Sequence, residues 1–313
     1  MIAAPGRLTR CGNMTDTVSL FEGEQAPPGY AGRIGGLDLR FNALSADANE
    51  RVLEDIKREL LAGRFDRSGA TRKGNWERGW QENLDDFLAS DGDVDTLIPK
   101  FFNKNNIFRC GGRYVEGVGP TFESDTFKAV QCWLFETYFR DSDRIVEFGC
   151  GPGHNLFLLS SMYPNAQLVG CDWSQSACNL IDALSAKHGL NLESRLFDMF
   201  HPKAIGPDGD DLAIFTIGAL EQLGKDFGSM LDYLVSMRPR MCVHIEPIVE
   251  LYDTSSPFDG IAAQYHHQRG YLEGFTPALR ALEKAGEISI HRLERLHFGS
   301  RYHEISVAAW GRP

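Results

Sequence analysis

The feature that most constrains this chain is a run of alternating glycines that directly follows a short apolar segment. Residues 145–148 form that segment, which is typical of a buried parallel strand. Gly149, Gly151 and Gly153 follow, and residues 154–159 then begin polar and become apolar, which predicts a helix. A glycine-rich turn between a strand and a helix lets backbone N–H groups approach a ligand closely. The sequence therefore predicts a ligand at this turn.

The spacing of the glycines separates two classes of ligand. A dinucleotide-binding turn follows the pattern Gly-x-Gly-x-x-Gly, but His154 and Leu156 occupy the position of the third glycine in the two registers. The observed pattern is Glu-x-Gly-x-Gly-x-Gly, and Glu147 stands at the end of the strand. A carboxylate in that crevice repels a pyrophosphate but attracts an ammonium or a sulfonium group. We therefore expect a ligand that carries a positive charge.

The segments after the turn alternate between apolar strands and amphipathic helices. The second strand ends in Asp172, roughly 20 residues beyond Gly153, where an acidic residue is placed to bind ribose hydroxyl groups. Residues 304–310 pair with the preceding apolar segment as an antiparallel terminal hairpin. The strands predicted between the turn and this hairpin are residues 167–172, 192–197, 212–217 and 241–246, and residues 288–296 are the first strand of the hairpin.

These motifs resemble those of the class I (Rossmann-like) S-adenosylmethionine-dependent methyltransferases, in which Glu-x-Gly-x-Gly-x-Gly is motif I. The resemblance extends from Ile145 to the C-terminus. It implies a Rossmann-like α/β fold with a seven-stranded, mostly parallel sheet, helices on both faces and an antiparallel terminal hairpin. It also implies that the cofactor is S-adenosylmethionine and that S-adenosylhomocysteine is the product.

The resemblance assigns further contacts to the cofactor. Trp173 is expected to pack on adenine, Asp198 to bind its exocyclic amine, and Met199 to supply a backbone and packing contact. For the glycine motif taken alone, a tight turn without a ligand remains the alternative. The full set of predicted cofactor-binding residues is Glu147, Gly149, Gly151, Gly153, Asp172, Trp173, Asp198 and Met199.

Composition limits the partners of the chain. The net charge of −11 disfavours binding to nucleic-acid phosphates, and no strong basic cluster offsets it. No apolar run has the length of a membrane span, and the N-terminus lacks the apolar core of a signal peptide, so we expect a cytoplasmic protein without a membrane or nucleic-acid partner. Seven cysteines without a Cys-x-x-Cys pair predict reduced thiols. The oligomeric state is open, with a homodimer among the options.

The first third of the chain is not covered by the resemblance. Residues 1–36 contain two Pro-Gly pairs and no periodicity, which predicts a flexible tail. Residues 37–126 contain two segments with apolar residues at helical spacing, and we interpret them as a mainly helical cap or lid. The aromatic residues of the second segment, including Trp76 and Trp80, are interpreted as packing residues.

The methyltransferase domain is predicted to comprise residues 127–313, with an insertion at residues 248–274. The chain between the fifth and sixth strands is too long for one crossover helix, which is why an insertion is expected. Its aromatic and polar side chains would form the second wall of a substrate pocket. Residues 100–120 and 248–273 are punctuated by glycines, and we expect both to close over the cofactor.

Methyl transfer requires alignment of the acceptor with the methyl group, and it requires a base only when the acceptor arrives protonated. Arg269 could clamp a substrate carboxylate, the alternative being a surface ion pair with Glu273 or Asp253. The histidines lack the spacing of metal ligands, so no metal is expected. The predicted catalytic residues are Glu246, Tyr265 and His266, and the predicted substrate-binding residues are Arg113, Tyr114, Glu221, Glu246, Arg269 and Tyr271.

The sequence therefore predicts an S-adenosylmethionine-dependent methyltransferase that acts on a small polar, amino-acid-like metabolite by N- or S-methylation. A protein or another macromolecule as substrate is one alternative, and a non-catalytic S-adenosylmethionine-binding module is another. The acidic net charge argues against RNA. The fourth strand is followed by Gly218-Ala-Leu-Glu rather than by the Asn/Asp-Pro-Pro-Tyr/Phe motif of amino-methylating enzymes that act on macromolecules.

Overall fold

A mixed β-sheet of eleven strands forms the centre of the structure, a computed structural model that describes residues 16–17, 20–21, 23–205 and 211–313. The strands are β1 (Asp16–Thr17), β2 (Arg40–Ala43), β3 (Ile107–Cys110), β4 (Arg113–Gly117), β5 (Arg144–Phe148), β6 (Gln167–Asp172), β7 (Leu192–Leu196), β8 (Leu212–Ile217), β9 (Met241–Glu246), β10 (Ser289–Ser300) and β11 (Glu304–Gly311). The helices are α1 (Tyr30–Ile34), α2 (Ala46–Leu61), α3 (Lys73–Ala89), α4 (Phe122–Tyr138), α5 (His154–Met162), α6 (Gln175–His188), α7 (Gly228–Ser236), α8 (Pro257–Arg269) and α9 (Phe275–Ala285). Short 3-10 helices lie at Ala70–Arg72, Val94–Leu97, Leu220–Leu223 and Val249–Leu251.

The strands follow the order β1-β2-β4-β3-β10-β11-β9-β8-β5-β6-β7 across the sheet. Strands β5 to β9 pair in parallel, and β11 runs antiparallel to both β9 and β10. Over β5 to β11 the sheet is therefore mostly parallel with an antiparallel terminal hairpin, as predicted, whereas the sheet as a whole is mixed. The order reverses at β5, which pairs with β6 on one side and β8 on the other. The glycine turn that follows β5 thus lies at the switch point, where ligands bind in open α/β sheets.

The predicted count of seven strands was wrong, because β1 to β4 extend the sheet beyond β10. Phe298 of β10 pairs with Cys110 of β3, and Arg109 pairs with Tyr114 across the β3–β4 hairpin. Gly111 and Gly112 interrupt the apolar run of this hairpin in the sequence. These two glycines form its turn, and both have a positive φ.

The N-terminal region packs on the domain that follows it. In the part of the predicted tail that the structure describes, Phe21 stacks on Trp133 of α4 with a centroid distance of 4.4 Å, and Arg33 lies 2.7 Å from the carboxylate of Glu136. The rest of that tail, residues 1–15, 18, 19 and 22, lies outside the described residues. The predicted helical cap contains α2 and α3 together with β2, β3 and β4.

Apolar side chains cover both faces of the parallel strands. Ile145 belongs to a cluster with residues of α4, α5 and α6, whereas the next residue, Val146, belongs to a cluster with residues of α7 and α9. This alternation follows from the two-residue period of a strand. Helices therefore cover both faces, as the resemblance implied. Among the residues that the structure describes, no helix combines the length and apolar character that crossing a membrane requires.

A ring of four charged side chains is buried where β3, β10, β11 and α8 meet. The guanidinium of Arg109 lies 3.4 Å from Asp259 and 3.5 Å from Glu304, and that of Arg295 lies 2.6 Å from Asp259 and 3.1 Å from Glu304. Arg109 and Glu304 are fully buried. Buried charges of this kind are stable only when each has its partner. The ring therefore fixes α8 against both hairpins.

We expect Glu304→Gln to lower the free energy of unfolding by about 3–5 kcal/mol, because two buried guanidinium groups would then share one carboxylate. Urea denaturation followed by circular dichroism would measure this. The matched control is Glu54→Gln, which removes an exposed ion pair with Lys57 on α2 and should leave stability unchanged. Equal effects of the two substitutions would show that the buried ring does not hold these elements together.

Candidate functional site

Each of the three glycines after β5 adopts a conformation that other residues rarely adopt. Gly149, Gly151 and Gly153 have φ values of 74°, 49° and 79°. A Cβ atom on Gly149 would lie 2.3 Å from the Cβ of Ala219, and one on Gly151 would lie 2.8 Å from the indole of Trp80. The turn therefore has no room for a side chain at Gly149 or Gly151, and both residues line the adjoining cavity.

Asp172 connects the end of β6 to the glycine turn. Its carboxylate accepts a hydrogen bond from the backbone N–H of Gly151 at 3.0 Å and one from that of Ser174 at 2.9 Å. Burial raises the pKa of Asp172 to about 6, while these hydrogen bonds favour its charged form. Asp172 lines the cavity, so it is placed to accept hydrogen bonds from ligand hydroxyl groups.

Glu147 lies beneath the turn and is fully buried. One carboxylate oxygen accepts a hydrogen bond from the side chain of Asn155 at 2.5 Å, and Asn155 in turn contacts Gln131. The other oxygen has no hydrogen-bond partner among the described residues. Burial raises the pKa of Glu147 well above its usual range. Asn155 and Gln131 line the cavity, whereas Glu147 does not. A cationic ligand would therefore contact Asn155, which is hydrogen-bonded to Glu147, and would contact Glu147 directly only if it bound beneath the cavity wall.

An aromatic slot adjoins the glycine turn. Trp173 stacks on Phe200 with a centroid distance of 5.8 Å and an angle of 22° between the rings, and Met199 lines the same part of the cavity. Asp198 accepts a hydrogen bond from the backbone N–H of Phe200 at 2.9 Å and does not line the cavity. The slot offers flat apolar surfaces that suit an adenine ring, with Asp198 shaping the loop behind it.

One cavity of about 540 Å³ joins this slot to a second group of side chains. The volume lies within the range of small-molecule sites. The cofactor end of the cavity is formed by Gly149, Gly151, Asp172, Trp173, Met199 and Phe200. The acceptor end is formed by Arg72, Glu221, Tyr265, Arg269, Tyr271, Tyr302 and His303.

Aromatic rings from α8 and from the β10–β11 turn form the wall of the acceptor end. Tyr265 stacks on Tyr302 at 4.8 Å and on His303 at 5.6 Å, with 12° between the rings in both pairs. The guanidinium of Arg269 lies 4.9 Å from the ring centroid of Tyr271. Such a wall excludes water from one side of the cavity and leaves a cation facing into it.

The predicted alternative for Arg269 was a surface pair with Glu273 or Asp253. Glu273 instead pairs with Lys225 at 3.1 Å and with His267 at 3.4 Å, and Asp253 accepts hydrogen bonds from Ser255. Arg269 lines the cavity, and its Nε atom is buried without a hydrogen-bond partner among the described residues. The geometry therefore leaves Arg269 available to an anionic group.

Two glutamates meet behind the acceptor end, and they have different surroundings. Glu246 accepts hydrogen bonds from the backbone N–H groups of Ala219, Leu220 and Glu221 at 3.0–3.1 Å, and it does not line the cavity. Glu221 lines the cavity and accepts a hydrogen bond from the Gln222 side chain at 2.7 Å. Burial and the adjacent Glu246 raise the pKa of Glu221 to about 8.

Four of the predicted catalytic and substrate-binding residues lie outside the cavity wall. Glu246 holds the loop after β8, as described above. Tyr114 is fully buried, with its hydroxyl 3.3 Å from Arg109, and its neighbour Arg113 lies on β4. His266 contacts the carbonyl of Leu272 through Nε2 at 2.5 Å, and burial lowers its pKa to about 4. The chain neighbours of Glu246 and His266, namely Ile245, Pro247 and Tyr265, line the cavity instead.

Sequence reasoning missed Arg72, Tyr302 and His303. Arg72 ends the short 3-10 helix Ala70–Arg72, whereas Tyr302 and His303 stand in the turn between β10 and β11, and no periodic pattern indicates a site at any of the three. Of the expected lid at residues 100–120, the structure places residues 107–117 largely in the sheet, while Phe101, Phe102 and Asn105 line the cavity. Over the part of the chain that the structure describes, no group of three or more His, Cys, Asp or Glu side chains is arranged to hold a metal ion.

Comparison with known proteins places this geometry in a family. Residues 145–236 match the family model for a methyltransferase domain. No curated protein matches the chain. Similar solved structures include magnesium protoporphyrin IX methyltransferase from Synechocystis PCC 6803, with 16% identity over 60% of this chain and 78% of that one and a TM-score of 0.43. They also include a SAM dependent methyltransferase from Aquifex aeolicus, with 20% identity over 56% and 86% of the two chains and a TM-score of 0.39.

The family match covers the glycine turn, Asp172, the aromatic slot and the loop that contains Glu221. These are the residues that form the cofactor end of the cavity and its junction with the acceptor end. The buried carboxyl groups, the narrow glycine turn and the stacked aromatic pair fit S-adenosylmethionine as the cofactor. Residues 145–236 therefore form a methyltransferase domain.

Proposed function

We propose that this enzyme methylates a small polar metabolite that carries a carboxylate, at a nitrogen or a sulfur atom. The observation that carries the proposal is the continuity of the cavity, because one space of about 540 Å³ extends from the glycine turn to Arg269. A molecule bound at the acceptor end would therefore share one cavity with the cofactor. A small acceptor suits a cavity of this volume.

The cofactor end contains the groups that the ligand requires. Asp172 would bind its polar parts, and Trp173 with Phe200 would hold its adenine ring. When bound, S-adenosylmethionine supplies an electrophilic methyl group on a positively charged sulfur. The buried carboxyl groups of Asp172 and Glu221, which line the cavity, favour a cation in this crevice.

The acceptor end supports recognition of a carboxylate. Arg269 lies half-buried over Tyr271, and Arg72, which pairs with Asp66 at 3.0 Å, lines the same end. A guanidinium held by an aromatic ring keeps its donors in a fixed plane, which matches the two oxygens of a carboxylate. Fixing the acceptor in this way aligns its nucleophilic atom, and alignment is the main contribution a protein makes to methyl transfer.

We expect Gly151→Val to lower the affinity for S-adenosylmethionine by roughly 100-fold or more, about 2.8 kcal/mol. The new side chain would collide with Trp80 and fill the turn. Calorimetric titration with S-adenosylhomocysteine would measure this. Gly189→Val is the matched control, because Gly189 also has a positive φ but no atom lies within 4 Å of its Cβ position. Unchanged affinity in Gly151→Val would contradict the assigned cofactor end.

Arg269→Ala should lower kcat/KM for the methyl acceptor, because the carboxylate loses its bidentate partner. The loss corresponds to about 2–4 kcal/mol of transition-state stabilisation, and cofactor affinity should be unchanged. The acceptor would first be identified by mass spectrometry, as the compound in a metabolite extract that gains a labelled methyl group from S-adenosylmethionine. Arg280→Ala is the control, since Arg280 on α9 is exposed and pairs with Glu283. Near-normal activity of Arg269→Ala would remove carboxylate recognition from the proposal.

A further inference from the structure

Glu221 lies where the two ends of the cavity meet. Ala219, two residues earlier, packs so closely on the glycine turn that its Cβ lies 2.3 Å from the position of a Cβ on Gly149. The loop after β8 is therefore in direct contact with the cofactor turn. The side chain of Glu221 is 7% exposed and lines the cavity, so its carboxyl group faces the space between cofactor and acceptor.

The groups around Glu221 determine its charge. Glu246 lies behind it on β9, while Arg269 and Tyr265 of α8 and the following Tyr271 face it from the other side of the cavity. Two buried carboxyl groups in contact do not both ionise readily. Burial raises the pKa of Glu246 as well, but its three backbone N–H hydrogen bonds favour its charged form, and among the described residues Glu221 has no backbone donors to match them. This difference favours a negative charge on Glu246 and a protonated Glu221 at neutral pH, until a cation enters the cavity.

We propose that Glu221 accepts the proton of the methyl acceptor and that the acceptor atom is an amine nitrogen. This inference rests on the proposed function and narrows it to N-methylation. When Glu221 and Glu246 are both ionised, their two negative charges outnumber the single positive charge of Arg269. An ammonium group would balance the remaining negative charge. A thiolate at the same position would be repelled by these carboxylates, which disfavours S-methylation.

The proton and electron balance is simple. The ammonium group of the acceptor transfers one proton to the carboxylate of Glu221, which gives a neutral amine and a neutral carboxylic acid. The nitrogen lone pair forms the new N–C bond, the C–S bond breaks, and its electron pair remains on sulfur. The product nitrogen carries the positive charge that the sulfur loses. A carboxyl group with a raised pKa suits this step. For each unit by which the pKa of the carboxyl group approaches that of the ammonium group, the equilibrium constant for the proton transfer becomes tenfold more favourable.

The test uses the charge difference between S-adenosylmethionine and S-adenosylhomocysteine, which otherwise share the same groups. Binding of the sulfonium should ionise Glu221 and release a proton, whereas binding of the neutral thioether should not. Calorimetry at about pH 7.5 in two buffers of different ionisation enthalpy measures this release. The pKa of Glu221 is raised in the enzyme without ligand. The difference in proton release between the two ligands should therefore vanish at low pH, where Glu221 stays protonated in both complexes. It should also vanish well above the raised pKa, where Glu221 is ionised before the ligand binds.

Glu221→Gln should abolish the difference in proton release while S-adenosylhomocysteine still binds, which also shows that the variant is folded. Glu123→Gln is the matched control, because Glu123 also lines the cavity and burial also raises its pKa, but its carboxylate binds the backbone N–H of Asn103 at 2.7 Å. The control should retain the release. A release that persists in Glu221→Gln, or that is absent from the wild-type enzyme, would overturn the inference.

The remaining outcomes separate this inference from the function on which it rests. If neither cofactor form bound, the proposed function itself would fail. If labelled methyl were recovered on oxygen or sulfur of a small molecule, methyl transfer would stand and the role of Glu221 would be wrong. Labelled methyl on an amine nitrogen would support the role of Glu221, provided that Glu221→Gln also lowers kcat by a larger factor than it changes KM.

Discussion

The close contact between the glycine turn and its neighbours is the constraint on which the site depends. Gly149 meets Ala219 from the loop after β8, and Gly151 meets Trp80 from α3. The backbone N–H of Gly151 also binds Asp172 at the end of β6. One turn thus fixes the relative positions of a neighbouring strand, a crossover loop and an N-terminal helix. Any side chain on the turn would separate elements that the cavity needs together.

The N-terminal region is part of the site because it closes the cofactor end. Glu77 of α3 accepts hydrogen bonds at 2.9 Å from the backbone N–H groups of Gln175 and Ser176, at the start of α6. A carboxylate at a helix N-terminus interacts favourably with the helix dipole. This contact holds α3 over the turn, with Trp80 against Gly151. The same region supplies Arg72 to the acceptor end, so both ends of the cavity depend on it.

Local patterns in the sequence predicted the parallel strands, the glycine turn and Asp172, because each depends on residues close together in the chain. The eleven-stranded sheet could not be predicted in the same way, since β3 pairs with β10 almost two hundred positions away. The acceptor wall has the same difficulty. Tyr265 was predicted from the insertion, but its stacking partners Tyr302 and His303 come from another hairpin, and only the folded chain brings them together.

Glu246 and Glu221 show that residue type and position at a strand end do not by themselves determine the role of a side chain in the site. Glu246 ends β9 and Glu221 follows β8, so both stand at the edge of the sheet where ligands bind. Glu246 uses its oxygens to hold the loop that carries Glu221, and it is therefore withdrawn from the cavity. Burial raises the pKa of Glu221, and the adjacent Glu246, whose charged form those hydrogen bonds favour, raises it further. Glu246 thus positions the loop that carries Glu221 and contributes to the raised pKa of Glu221. The two residues have these different roles only because β8 and β9 are adjacent in the sheet.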